Sequence, residues 1–292
     1  MVQLFNFWYF FFIAIGTLAI VGLYCLLKNK SQKTQSIVLG SILFFNLALH
    51  FLKLTFPPYS TNLDKAMCDV WFINVCATSV LFFPFCFLSK SKTAKDYMVY
   101  LGTISGLLAF LYPTEGIDKS VLTLDLWRFY ICHWIIIAVP VLTMLLRLHK
   151  LDIKRIWKMP ICVSAMLLFI ICNQILQSEL GIISLRNQDM FNINFHNPSL
   201  IWGPTDAVAV LFSYLTPDFM KTIPYGEFAG QQKYWPFFWM LPGVILYFIL
   251  IPLIVCFIFD YKETVASFVS IFNRIKNFFT KKGKTDGDDE NN

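Results

Sequence analysis

Charge is scarce in this chain. Only 14% of its 292 residues are Asp, Glu, Lys or Arg, against about 25% in soluble domains. The chain is 57% hydrophobic, with a mean hydropathy of +0.60. A soluble fold of this length could not hide that much apolar surface, so the excess must face lipid. The features of a secretory leader are scarce as well. The first apolar run has no basic stretch before it, and lysines rather than a small-residue cleavage site follow it, so it reads as a retained span. No nucleotide-binding loop, metal-ligand spacing or nucleic-acid motif is present, and no cofactor or metal is implied. No internal repeat is visible, which argues against an inverted-repeat transporter. Cysteine is not scarce, at eight residues. Seven of them, Cys25, Cys76, Cys86, Cys132, Cys162, Cys172 and Cys256, fall inside or at the edge of apolar runs, and only Cys68 sits in a loop. Most therefore read as small buried hydrophobes, not as a disulfide framework.

What is present is a series of apolar runs long enough to span a bilayer, a task that takes about 20 residues. They lie at 7–27, 36–56, 70–88, 97–113, 127–147, 160–178 and 236–259. The expected fold is an all-α membrane protein, a bundle of seven transmembrane helices. The fourth run carries Gly102 and Gly106, a GxxxG spacing that lets a neighbouring helix approach closely. The odd-numbered connections are basic: Lys28, Lys30 and Lys33; then Lys90, Lys92 and Lys95; then Arg147, Lys150, Lys154, Arg155 and Lys158. The even-numbered ones are neutral or acidic, holding Asp64, Lys65, Glu115, Asp118, Lys119 and Asp125. The excess of lysine and arginine on cytoplasmic loops predicts an N-terminus outside and a C-terminus in the cytoplasm, in a multi-pass protein of the cell membrane.

Past Asp260, Val265, Phe268, Val269, Phe272, Ile275 and Phe279 recur at helical spacing between basic residues. Residues 261–282 therefore read as a basic amphipathic helix on the inner leaflet. The polar stretch 283–292 reads as a disordered tail. The connection 179–235 is too long for a plain loop and reads as an outer cap with a short re-entrant or interfacial helix.

Polar side chains inside a span are costly and usually face the bundle interior. Span two carries Asn46 and His50 on one face, with Lys53 continuing the stripe. Span three carries Asn74, Cys76 and Thr78; span five carries Cys132 and His133; span six carries Asn173, Gln174 and Gln177. All fall in the outer third of their helices. That sorting by depth points to one polar cavity opening toward the outer leaflet, although interhelical glue would also be polar. A nucleophilic thiol needs a nearby base. Cys76 and His133 are the candidate pair by depth, with His50 as a second imidazole or an orienter. Cys132, adjacent to His133, should point elsewhere on its helix. Spacing alone leaves coincidence open.

Several runs carry a family resemblance. Phe72-Ile-Asn-Val-Cys76 opens one span, and Tyr100 to Gly106 precedes Leu111-Tyr-Pro-Thr-Glu115. Trp127 to His133 forms a histidine helix, and Tyr234-Trp-Pro-Phe-Phe-Trp239 opens the last span. Their order resembles the YwaF-like bacterial membrane proteins, related to the vertebrate transmembrane-164 family. Two departures stand out: the family's Leu-Pro-Leu before the cysteine is absent, and the connection near Asn192 to Pro236 is expanded. The resemblance implies a phospholipid acyltransferase working through a cysteine thioester, with membrane phospholipids as partners. By position, Cys76 is the acyl-accepting nucleophile and His133 its base. Asn46, His50, Asn74, Asn173, Gln174, Gln177 and Asn194 are the expected substrate-binding groups, with Asn173, Gln174 or the loop asparagines as the oxyanion donor.

Two other readings share the same cavity. One is a transporter for a small polar solute, against which no charged residue lies deep in any span. The other is a non-catalytic sensor or accessory subunit. No nucleic-acid partner is expected.

Overall fold

The computed structural model describes the chain apart from residues 63–65, 68–69, 114, 184–198, 206, 224–225, 228, 232 and 289–292. Nine α-helices run through the described residues. They are α1 (Phe7–Leu27), α2 (Gln32–Leu52), α3 (Val75–Leu88), α4 (Lys92–Leu111), α5 (Leu124–Leu145), α6 (Met159–Glu179), α7 (Ala207–Ser213), α8 (Leu241–Phe259) and α9 (Tyr261–Asp288). Among the described residues, α1, α2, α5, α6 and α8, with the short turns flanking some of them, are long and apolar enough to cross a membrane. The protein is thus an all-helical, multi-pass membrane protein.

Polar caps set the sharp corners. Ser31 opens α2 by accepting the Thr34 N–H at 3.2 Å, and Ser91 opens α4 by accepting that of Ala94 at 3.3 Å. Each side chain satisfies an N–H that the first turn of a helix leaves bare. The connections around Lys90, Lys150 and Glu263 gather at one end of the bundle, hereafter the basic end. The residues around Lys53, Asn74, Glu115 and Arg128 gather at the other.

The central helix is α5, with 72% of its apolar window buried, against 17% for the peripheral α1. Its closest partner is α4, and the glycines explain why. A Cβ on Gly102 would lie 2.6 Å from Pro140 Cγ and 2.8 Å from the Ile136 carbonyl oxygen. One on Gly106 would lie 2.7 Å from Ile137 Cβ. Pro140 has no N–H to bond the carbonyl four residues back, so Ile136 O is released from the helix ladder. That carbonyl occupies the space that the missing side chain of Gly102 leaves open.

The basic end is held by a buried carboxylate. Asp96 is fully buried in the second turn of α4. It accepts from Arg155 Nε at 2.5 Å, Arg155 Nη2 at 3.0 Å and His149 Nε2 at 2.6 Å. Asp260, at the end of α8, accepts the Leu151 N–H at 3.1 Å. Two carboxylates thereby tie the connection between α5 and α6 to α4 and α8.

The largest departure from the apolar pattern is in the third span. Its run begins at residue 70, yet α3 begins only at Val75. At 14 residues and about 1.5 Å of rise per residue, α3 is too short for a hydrocarbon layer of about 30 Å. Residues 71–74 are irregular, and Phe72 takes the left-handed region at φ 61°.

Candidate active site at the start of the third helix

Irregular backbone at membrane depth survives only if its polar groups find partners inside the protein. Here four successive carbonyls each accept a side-chain donor. His50 Nε2 of α2 donates to Val70 O at 2.9 Å. Asn173 Nδ2 and Gln177 Nε2 of α6 both donate to Trp71 O, the second at 3.4 Å. Thr78 Oγ1 donates to Phe72 O at 3.1 Å, and Ser199 Oγ donates to Ile73 O at 2.9 Å. The unwound segment hangs from α2, α6 and the residues before α7.

This explains why polar residues sort by depth along four helices. Asn173 and Gln177 are engaged with the Trp71 carbonyl. Gln174 accepts from Trp202 Nε1 at 3.1 Å. Asn46 donates from Nδ2 to Cys132 O at 3.3 Å, joining α2 to α5. These four amides do not line the cavity that holds the thiol. In the structure they hold helices and the unwound segment together. Asn194, with Asn192, His196 and Asn197, lies outside the described residues.

The remaining predicted residues do converge. A cavity of about 30 Å³ is lined by Cys76, His133, His50 and Asn74, together with Lys53, Glu115, Arg128 and Cys132. Cys132 therefore shares the cavity with its neighbour His133, whereas adjacent positions were expected to diverge. A volume of this size holds about one water. No hydrogen bond joins the Cys76 thiol directly to the His133 imidazole.

Local folding presents each of these groups. Asn74 is the N-cap of α3, its Oδ1 accepting the Ala77 N–H at 2.6 Å. That puts Cys76 in the first turn, where the dipole of the helix favours negative charge. The first N–H groups of a helix lack intrahelical acceptors. Those of Val75 and Cys76 take no backbone carbonyl among the described residues. His133 donates from Nδ1 to the Phe129 carbonyl at 2.7 Å. With that proton fixed, the neutral imidazole presents Nε2 as an acceptor. His50, donating from Nε2 to Val70, supports the loop, and its ring stacks on Phe72 at 5.4 Å.

Two cations border the cavity, and sequence reasoning assigned neither a role. Lys53 and Arg128 are both buried. The Lys53 ammonium lies 5.1 Å from the centre of the Tyr59 ring, and the Arg128 guanidinium lies 5.8 Å from it. Arg128 Nη2 also donates to Asp125 Oδ1 at 2.9 Å, and Asp125 accepts from Lys119 at 2.5 Å. The signal for Arg128 was its place in the first turns of α5, one helical turn before Cys132. For Lys53 it was the stripe shared with Asn46 and His50, a face that is buried throughout.

On the other side of Val75 lies an apolar groove of about 420 Å³, bounded by Leu101 and Leu108 of α4, Met166 of α6 and Val244 of α8. The first turn of α3 thus stands between a small charged cavity and a large apolar one.

The family model for the TMEM164 family matches residues 2–250. The chain belongs to the TMEM164 family. The match includes every described member of the site and ends within α8. No curated protein and no solved structure matches the chain. Among the described residues of this TMEM164-family chain, no group of His, Cys, Asp or Glu is arranged to hold a metal ion, and the described cysteines are free thiols.

Proposed function

We propose that this TMEM164-family protein is an intramembrane acyltransferase that moves a fatty acyl chain between phospholipids through a thioester on Cys76. The observation that carries the reading is the shared cavity of Cys76 and His133, with His133 Nδ1 tied to Phe129. In the first half-reaction, His133 Nε2 takes the thiol proton through a bridging water. The thiolate attacks the ester carbonyl, and the lysophospholipid oxygen leaves with the proton from the imidazolium. In the second half-reaction, His133 takes the proton of an acceptor lysolipid hydroxyl. That oxygen attacks the thioester, and the Cys76 thiol is regenerated. The N–H groups of Val75 and Cys76 are the oxyanion donors in this scheme, a role the sequence reading gave to side-chain amides.

Substrate placement follows from the two cavities. Lys53 and Arg128 would hold the phosphate of the headgroup at the rim, and the groove beside Val75 would take the acyl chain. The proposed topology has seven crossings, formed by α1, α2, α3 together with the irregular segment before it, α4, α5, α6 and α8. The N-terminus and the thiol end lie outside, and α9 lies on the cytoplasmic leaflet of the cell membrane. The branch we propose within the family is the YwaF-like bacterial one.

The test uses purified protein and a phospholipid with a labelled acyl chain. Label should become attached to the protein, be released by hydroxylamine, and be absent from Cys76→Ala. Unlabelled protein with intact solute uptake in vesicles would instead support transport. Unlabelled protein that copurifies with a second polypeptide would support a sensor.

A further inference from the structure

The basic end encloses a cavity of about 560 Å³, within the range of about 300–1,000 Å³ that small-molecule sites occupy. It is separate from the thiol site and lies at the opposite end of the helices. Lys90, Lys92 and Lys95 reach it from the corner between α3 and α4. Arg147, Lys150, Lys154 and Arg155 reach it from the connection between α5 and α6.

Two carboxylates line the same space, and both are engaged. Glu263 pairs with Lys150 at 2.6 Å, while Asp152 accepts the Lys154 N–H at 2.9 Å and lies 3.4 Å from Arg155 Nη1. Arg155 itself is held by the buried Asp96. That leaves Lys90, Lys92, Lys95, Arg147 and Lys154 with no ion pair among the described residues. Lys92 and Lys95 also stand in the opening turns of α4, where the helix dipole disfavours cations. Orientation in a membrane needs basic loops, but it does not need them folded around a concavity with a carboxylate-braced wall.

A second cavity, of about 300 Å³, shares Arg147, His149 and Lys150 with the first. It runs on between the ends of α5 and α8 to Leu145 and Ile258, whose side chains are 46% and 69% exposed. The cationic space therefore continues onto an apolar flank that faces lipid. A soluble anion would have no use for that flank, and a lipid would use both parts.

We propose that the basic end binds an anionic phospholipid of the leaflet it faces. The phosphate headgroup sits among Lys90, Lys95 and Lys154, and the chains lie along α5 and α8. On the topology above this is the cytoplasmic leaflet, where anionic lipids attract basic segments. The inference does not depend on the acyltransferase reading.

The experiment measures the melting temperature of the full chain in neutral detergent. Short-chain phosphatidic acid, short-chain phosphatidylcholine and inorganic pyrophosphate are titrated separately. Phosphatidic acid should raise the midpoint saturably, and phosphatidylcholine should not. The triple variant Lys90→Ala, Lys95→Ala, Lys154→Ala should bind phosphatidic acid about a hundredfold more weakly. Lys154→Glu, at an exposed side chain with no hydrogen bond or ion pair among the described residues, gives the same direction without endangering the fold. Equal stabilisation of wild type and both variants by phosphatidic acid would overturn the site. Stabilisation by pyrophosphate as large as that by phosphatidic acid would overturn the lipid and leave a soluble phosphate.

Discussion

The two ends of the bundle solve the problem of buried polarity in opposite ways. At the basic end, charge is neutralised by charge: Asp96 is surrounded by Arg155 and His149, and regular helix runs right up to it. At the thiol end, backbone is neutralised by neutral side chains. Four carbonyls in sequence are held by an imidazole, two amides and two hydroxyls. The first arrangement is a lock. The second is a mount that stops a helix short and puts its first turn, with a thiol on it, inside the protein.

The contrast can be broken by mutation. Cys76→Ala should abolish hydroxylamine-sensitive labelling altogether while leaving the melting temperature nearly unchanged. His133→Ala should lower the rate of acyl transfer by about 10²–10⁴-fold, the usual worth of a positioned base. Asp96→Ala should cost about 3–5 kcal/mol in chemical unfolding, because Arg155 loses its buried carboxylate and His149 its hydrogen-bond partner. Its activity per folded molecule should stay at the wild-type level, which separates the lock from the mount. Gly102→Ala should cost about 1–3 kcal/mol by forcing α4 off α5. Ser199→Ala should cost about 1–3 kcal/mol by stripping the Ile73 carbonyl of its donor. Unlike Asp96→Ala, it should also slow acyl transfer, since the segment it supports aims the thiol. Equal effects of Ser199→Ala and Asp96→Ala on activity per folded molecule would erase the distinction between the two ends.

Much of this was legible from the amino acids. Apolar runs give all-helical membrane class, because lipid leaves the backbone few alternatives. The depth of Cys76 and His133 on separate helices was enough to bring them to one cavity. Gly102 and Gly106 announced a close helix contact, and Pro140, read together with them, accounts for its form. The start of α3 was not legible. Residues 71–73 are as apolar as a helix, and distant donors such as Asn173 and Ser199 let the segment 71–74 unwind. The same blindness hid the partner of Asn173 and Gln177: a carbonyl more than 100 residues away leaves no local signature. Lys53 and Arg128 were overlooked because charges at helix ends ordinarily face water, whereas these sit beneath Tyr59.

The mount also has a place in time. Membrane proteins enter the bilayer in order of synthesis, so α3 arrives while Asn173, Gln177 and Ser199 are still untranslated. A segment of about 21 Å whose Trp71 and Ile73 carbonyls still lack their side-chain donors cannot settle alone. Its final seating waits for the sixth helix and the residues beyond it. Ribosome-bound intermediates that stop before residue 173 should therefore leave Cys76 open to aqueous thiol reagents, and release of the full chain should shut them out.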